Sequence, residues 1–134
     1  MVDRQVFRLA EVPVHLGLGA TVVPQEPFTG SPDWYERYGA RTAQDGVDGR
    51  LVSLHTFAEP WTTWEMHPFG QELVVRTVGA ITLHQEEDGV VRTVLLEEGD
   101  ATVNPPGVRH TADVDGTATA LFVTAGTGTE VRPR

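Results

Sequence analysis

Trp61-Thr62-Thr63-Trp64-Glu65-Met66-His67-Pro68 reads as a strand with two unlike faces. Residues two apart on a strand point to the same side, so Thr63, Glu65 and His67 share one face and Trp64 and Met66 the other. The four-residue loop 68–71 then turns the chain back, and Glu72 opens the next strand. Three side chains with oxygen or imidazole donors thus converge on one point.

A second stretch complements the first: Gly99-Asp100-Ala101-Thr102-Val103-Asn104-Pro105-Pro106-Gly107-Val108-Arg109-His110. A glycine turn and a short strand lead into a Pro-Pro-Gly bend, which fixes φ at two positions and permits a tight turn at the third. The bend delivers a single imidazole, His110. Arg109 beside it points the other way by alternation.

Around these stretches, short β-rich runs alternate with turn residues. The runs are 51–57, 61–67, 73–78, 80–85, 90–95, 101–103 and 118–124. Such spacing argues an all-β sandwich or barrel, and Asp88-Gly89 is a strong hairpin signal. The first 30 residues carry Pro13, Pro24 and Pro27 and read as an irregular arm. Ser31-Pro32-Asp33 supplies an N-cap, a proline at the first helical position and an acid in the first turn, predicting a short helix through about Ala43. Trp34, Tyr35 and Tyr38 give that helix an aromatic stripe.

The two stretches resemble the paired motifs of the cupin superfamily. In the first motif a metal ligand, a histidine, a glutamate and a glycine recur at set spacings, matched by Glu65, His67, Glu72 and Gly79. In the second, Gly99, Pro105, Gly107 and His110 match. The chain as a whole resembles small bacterial single-domain members of the RmlC-like group. The resemblance implies a double-stranded β-helix, or jelly-roll, with a short N-terminal helix and arm. One domain is expected over residues 1–134, with the arm and helix in 1–49, the barrel in 50–126 and a tail in 127–134. It also implies one divalent metal ion, Fe, Mn or Zn with Ni as a further candidate, held by Glu65, His67, Glu72 and His110.

The sequence departs from the family at Glu65, where a histidine is usual. A further carboxylate hardens the site and favours Mn²⁺, Fe²⁺ or Zn²⁺; alternatively Glu65 stands off the ion as a catalytic base. Two inward carboxylates repel each other and are costly to bury unpaired. A cation relieves both penalties, and pairing with Arg76, four residues beyond Glu72, is the competing resolution. Arg76 is also the candidate substrate-binding residue, gripping an anion by a two-pronged contact.

Composition narrows the chemistry. The chain has 134 residues, no cysteine and no lysine. Thiolate, disulfide, Schiff-base and P-loop chemistry are therefore excluded. Its net charge of −9 opposes nucleic-acid and anionic-membrane partners. No apolar run approaches the ~18–20 residues of a membrane span, and the opening residues lack a secretory pattern, so a cytoplasmic protein is expected. Exposed strand edges and the outward Trp64 and Met66 suggest a homodimer, with the first 30 residues adding a strand to the partner. Two classes of function stay open: a metal-dependent enzyme acting on a small organic molecule (dioxygenase, isomerase, decarboxylase or lyase), or a non-catalytic barrel binding a metal or small ligand.

Overall fold

The computed structural model describes residues 6–134; residues 1–5, part of the opening read above for a secretory pattern, lie outside the described residues. In chain order the strands are β1 (Val14–Gly17), β2 (Thr21–Pro24), β3 (Arg50–Phe57), β4 (Thr63–Met66), β5 (Glu72–Glu87), β6 (Val90–Leu96), β7 (Ala101–Asn104), β8 (Arg109–Thr124) and β9 (Glu130–Pro133). Helix α1 (Pro32–Thr42) lies between β2 and β3. No described helix is long and apolar enough to cross a membrane.

The expected all-β jelly-roll forms around two 16-residue strands, β5 and β8, which pair antiparallel along their lengths. Their register slips between Arg76 and Val78 and again before Ala80. These bulges bend both strands, so one half of β8 pairs with β3 while its start meets β4. At the bend Gly79 has φ 80°, and a Cβ there would lie 2.1 Å from the Thr117 carbonyl oxygen. Only glycine fits so close an approach at positive φ. The two runs expected at 73–78 and 80–85 are therefore one bent strand.

Inward residues of β5, β6 and β8 make the core, with Val74, Ile81, Leu83, Leu96, Ala112, Ala118, Ala120 and Phe122 all buried. Each large apolar side chain buried in this way stabilises by about 1.5–3 kcal/mol. Truncating Ile81 to alanine should cost about 2–5 kcal/mol, because the cavity term adds to lost transfer energy. Asp88 and Gly89 both take positive φ and link Glu87 to its partner Val90, the expected two-residue hairpin.

Three expectations need correction. The arm is not wholly irregular: β1 and β2 form a hairpin, and β1 extends the sheet beside β3 of the same chain. Four-residue strands with Pro24 at one end are too short to register as a periodic pattern. The tail contains β9, which pairs with β4. It half-covers Trp64, whose ring carries the Arg132 guanidinium at 5.6 Å, and Met66 is likewise half-buried. Part of their cover thus comes from β9 of the same chain.

The aromatic stripe of α1 docks the arm onto the barrel mouth. Trp34 is fully buried, stacks on Tyr38 and donates its indole N–H to the Glu26 carbonyl at 3.2 Å. Phe28 bridges Trp34 edge-on to His55 of β3, at 5.1 and 4.9 Å between ring centroids. His15 links Tyr38 and Asp45, each at 2.7 Å.

Candidate metal centre

The backbone places four side chains at the mouth of the barrel. Glu65 lies on β4 directly opposite His110 on β8. His67 follows β4 by one residue, and its carbonyl accepts a hydrogen bond from Gly107 N–H at 3.0 Å, which ties the first motif to the bend of the second. Glu72 begins β5, as its place after the loop requires.

Glu65, His67 and His110 each offer a ligand atom within 4.8 Å of the others. Glu72 touches both imidazoles: Oε2 is 3.2 Å from His67 Nε2, and Oε1 is 3.2 Å from His110 Nε2. Neither approach has hydrogen-bond geometry, so the Nε2 atoms of both histidines are buried without a partner. Buried polar atoms in native proteins are nearly always partnered, so two such atoms facing carboxylates demand an explanation.

The network behind the site sharpens this. Thr129 donates its hydroxyl to the Gly126 carbonyl at 2.8 Å and stands 2.7 Å from His67 Nδ1. Having spent its proton, that oxygen accepts one from Nδ1–H, which leaves the Nε2 lone pair facing the site in the neutral ring. Glu72 is fixed from behind: Asn104 Nδ2 donates to Oε1 at 3.0 Å and Thr124 donates to Oε2. Gln85 in turn donates to Asn104 Oδ1 at 2.8 Å.

The electrostatics follow. Burial raises the Glu72 carboxyl, but the imidazoles in contact with it outweigh that and hold it well below the usual carboxylate range. Burial pushes the Glu65 carboxyl up, with the imidazoles opposing and the Glu72 charge reinforcing. Glu65 is also the more open, its side chain about a third exposed at 35% against 4% for Glu72. Once the neutral His110 ring carries its proton on Nδ1, as His67 does, two carboxylates and two imidazole lone pairs form a set of acceptors without a donor. A divalent cation with oxygen and nitrogen ligands fits that set.

Arg76 is placed elsewhere. Its Nη1 donates to the Leu96 carbonyl at 3.0 Å, and it does not line the cavity above the site. Four residues along a strand span about 13 Å, too far for the guanidinium to return to Glu72. The arginine–carboxylate network is thus not formed. Arg109 pairs across the ladder with Glu86, away from the site. His84 bonds Asp113 at 2.8 Å, and His55 faces the cavity.

Sequence reasoning missed Asn104, Thr124 and Thr129, although Asn104 lies inside the second motif, next to its proline. It also missed Tyr35, which lines the cavity from α1. Burial first, then the charges of Glu65 and Glu72, push the Tyr35 hydroxyl up to about 12. The cavity measures about 1160 Å³.

Among solved structures, the barrel resembles oxalate oxidase in complex with the substrate analogue glycolate, at a TM-score of 0.53 and 15% identity over 62% of this chain and 45% of that one. It also resembles hydroxypropylphosphonic acid epoxidase from S. wedmorenis, at 0.50 and 15% over 56% and 42%. The barrel has the jelly-roll fold. The chain spans less than half the length of these proteins, and at such identity the likeness establishes the fold alone. No protein-family model and no curated protein matches the sequence.

Proposed function

We propose that this barrel is a metal-dependent cupin enzyme acting on a small organic molecule. The observation that carries the reading is the pair of buried, unpartnered Nε2 atoms of His67 and His110 gathered with Glu72 and Glu65. His67, His110 and Glu72 would hold the ion, with Glu65 as fourth ligand or, being more exposed and harder to ionise, as the base that takes a proton from substrate. A divalent ion supplies Lewis acidity and, for a redox metal, access to dioxygen chemistry. A structure of the epoxidase that this barrel resembles is described as its Fe(II) form, which makes iron the first metal to try.

The residues around the site divide the remaining work. Thr129 orients His67, Asn104 and Thr124 orient Glu72, and the aromatic walls exclude water. The test is elemental analysis of the purified protein, followed by dioxygen uptake and product analysis against a panel of small molecules. Close to one divalent metal per chain with turnover supports the enzyme. Metal without turnover on any substrate supports a metal-binding barrel instead, and no metal would falsify the enzyme reading and leave only a metal-free ligand-binding barrel.

A homodimer is part of the same proposal, but through a different surface from the one the sequence suggested. Leu73 on β5 pairs with Val103 on β7 and Val123 on β8, all pointing outward from the sheet. Leu73 and Val103 are 36% and 44% exposed. An outward apolar row of this kind is what an isologous interface uses.

A further inference from the structure

We infer that the cavity takes an uncharged aromatic or conjugated molecule that presents oxygen donors to the ion. This rests on the metal-centre reading above. Two features of the wall carry it: its rings and its charges.

The rings are continuous with the site. Trp61 stands edge-on to His110 at 6.2 Å between centroids. Phe57 and Phe122 lie 5.4 and 6.0 Å from the same indole and 6.1 Å from each other. His55 extends the wall from Phe122 at 5.8 Å, and burial lowers its pKa, so this imidazole is neutral at pH 7. Planar faces at these spacings favour offset or edge-on contact with another ring.

The charges exclude the opposite class. The chain has no lysine, and among the described residues no arginine lines this cavity. Its charged lining is all acidic: Glu36, Glu65 and Glu72. Glu65 and Glu72 already match the two charges of a divalent ion. A dianion such as oxalate would enter with no guanidinium to receive it, and Arg76, the cation nearest along the strand, is engaged with Leu96. Burying an uncompensated anion beside two carboxylates is strongly unfavourable, whereas a neutral ring bearing hydroxyl or keto oxygens meets no such penalty.

The test uses the full chain after its metal content has been measured. Catechol, salicylate and oxalate are titrated into metal-loaded protein and followed by calorimetry and tryptophan fluorescence. The three probes share paired oxygens and differ in ring and charge. Catechol is expected to bind at least tenfold more tightly than oxalate, with salicylate between them. Phe57→Leu is expected to weaken catechol severalfold while leaving metal content unchanged. Oxalate binding as tightly as catechol, or catechol binding that is indifferent to Phe57→Leu, overturns the inference. A chain that takes up no metal overturns instead the reading beneath it, and elemental analysis shows this before any ligand is added.

Discussion

Glu65 and His110 face each other across the β4–β8 ladder, with the carboxylate 4.0 Å from Nε2. Directly opposed residues hold their Cβ atoms about 4.5–5.5 Å apart, so two side chains on one face meet at a common point. The ladder therefore sets Glu65 beside an imidazole whatever its role. If it ligates the ion, Glu65→Gln weakens metal binding and Glu65→His largely restores it. If it is a base, both variants keep their metal while turnover falls by about 10²–10⁴-fold. Metal titration alongside turnover separates the two. The ligand outcome is expected, because the oxygen already lies within the span of the other donors.

His67→Ala should abolish stoichiometric metal. Thr129→Val probes the same ring more gently: it removes the acceptor of His67 Nδ1–H and frees the ring to change tautomer and rotate. Loss of such an orienting partner typically lowers metal affinity by about 10–100-fold. Competition with a chelator measures it. Unchanged affinity would remove Thr129 from the site.

Asn104→Ala should damage both stability and metal binding. It strips Glu72 Oε1 of a buried donor and leaves Gln85 Nε2 without one acceptor. A buried polar group left unpaired costs about 1–3 kcal/mol. Urea unfolding of metal-free protein reads that loss, and chelator competition reads the weakened ion.

Asp113 gives a pH signature independent of the centre. Arg134 and His84 donate to its carboxylate at 2.7 and 2.8 Å and lower its pKa from 3.8 to about 2. Because the folded value lies below the unfolded one, the group contributes stability above about pH 4, and that contribution disappears as pH falls through about 2. Asp113 is 42% exposed, and solvent screening keeps the effect to about 1 kcal/mol or less. Asp113→Asn should flatten the stability profile of metal-free protein between those pH values. Urea midpoints against pH check it, and an unchanged slope would discard the pair as a contributor.

Sedimentation at tens of micromolar should show a dimer, and Val103→Glu should shift it to monomer. Charge placed on an outward apolar row disfavours association without touching the core. A wild-type monomer at that concentration would count against the interface.

The sequence by itself determined which side chains share a face at the barrel mouth. Alternation over Glu65-Met66-His67, the loop before Glu72 and the bend before His110 are local features, and strand geometry turns local order into a shared face. The same local signals marked the hairpin at Asp88-Gly89 and the helix beginning at Pro32. What they left open was non-local. Whether runs 73–78 and 80–85 were one strand depended on a bulge set by contact with β8. Whether the C-terminal tail was a strand depended on β4 being free to receive it. The partners of the site lie far along the chain: Thr129 is 62 residues from His67, and Thr124 is 52 from Glu72. Arg76 shows the converse, since it shares a strand face with Glu72 yet the rise per residue carries it out of reach. Periodicity fixes the side on which a residue lies, but only the closed barrel fixes what it meets there.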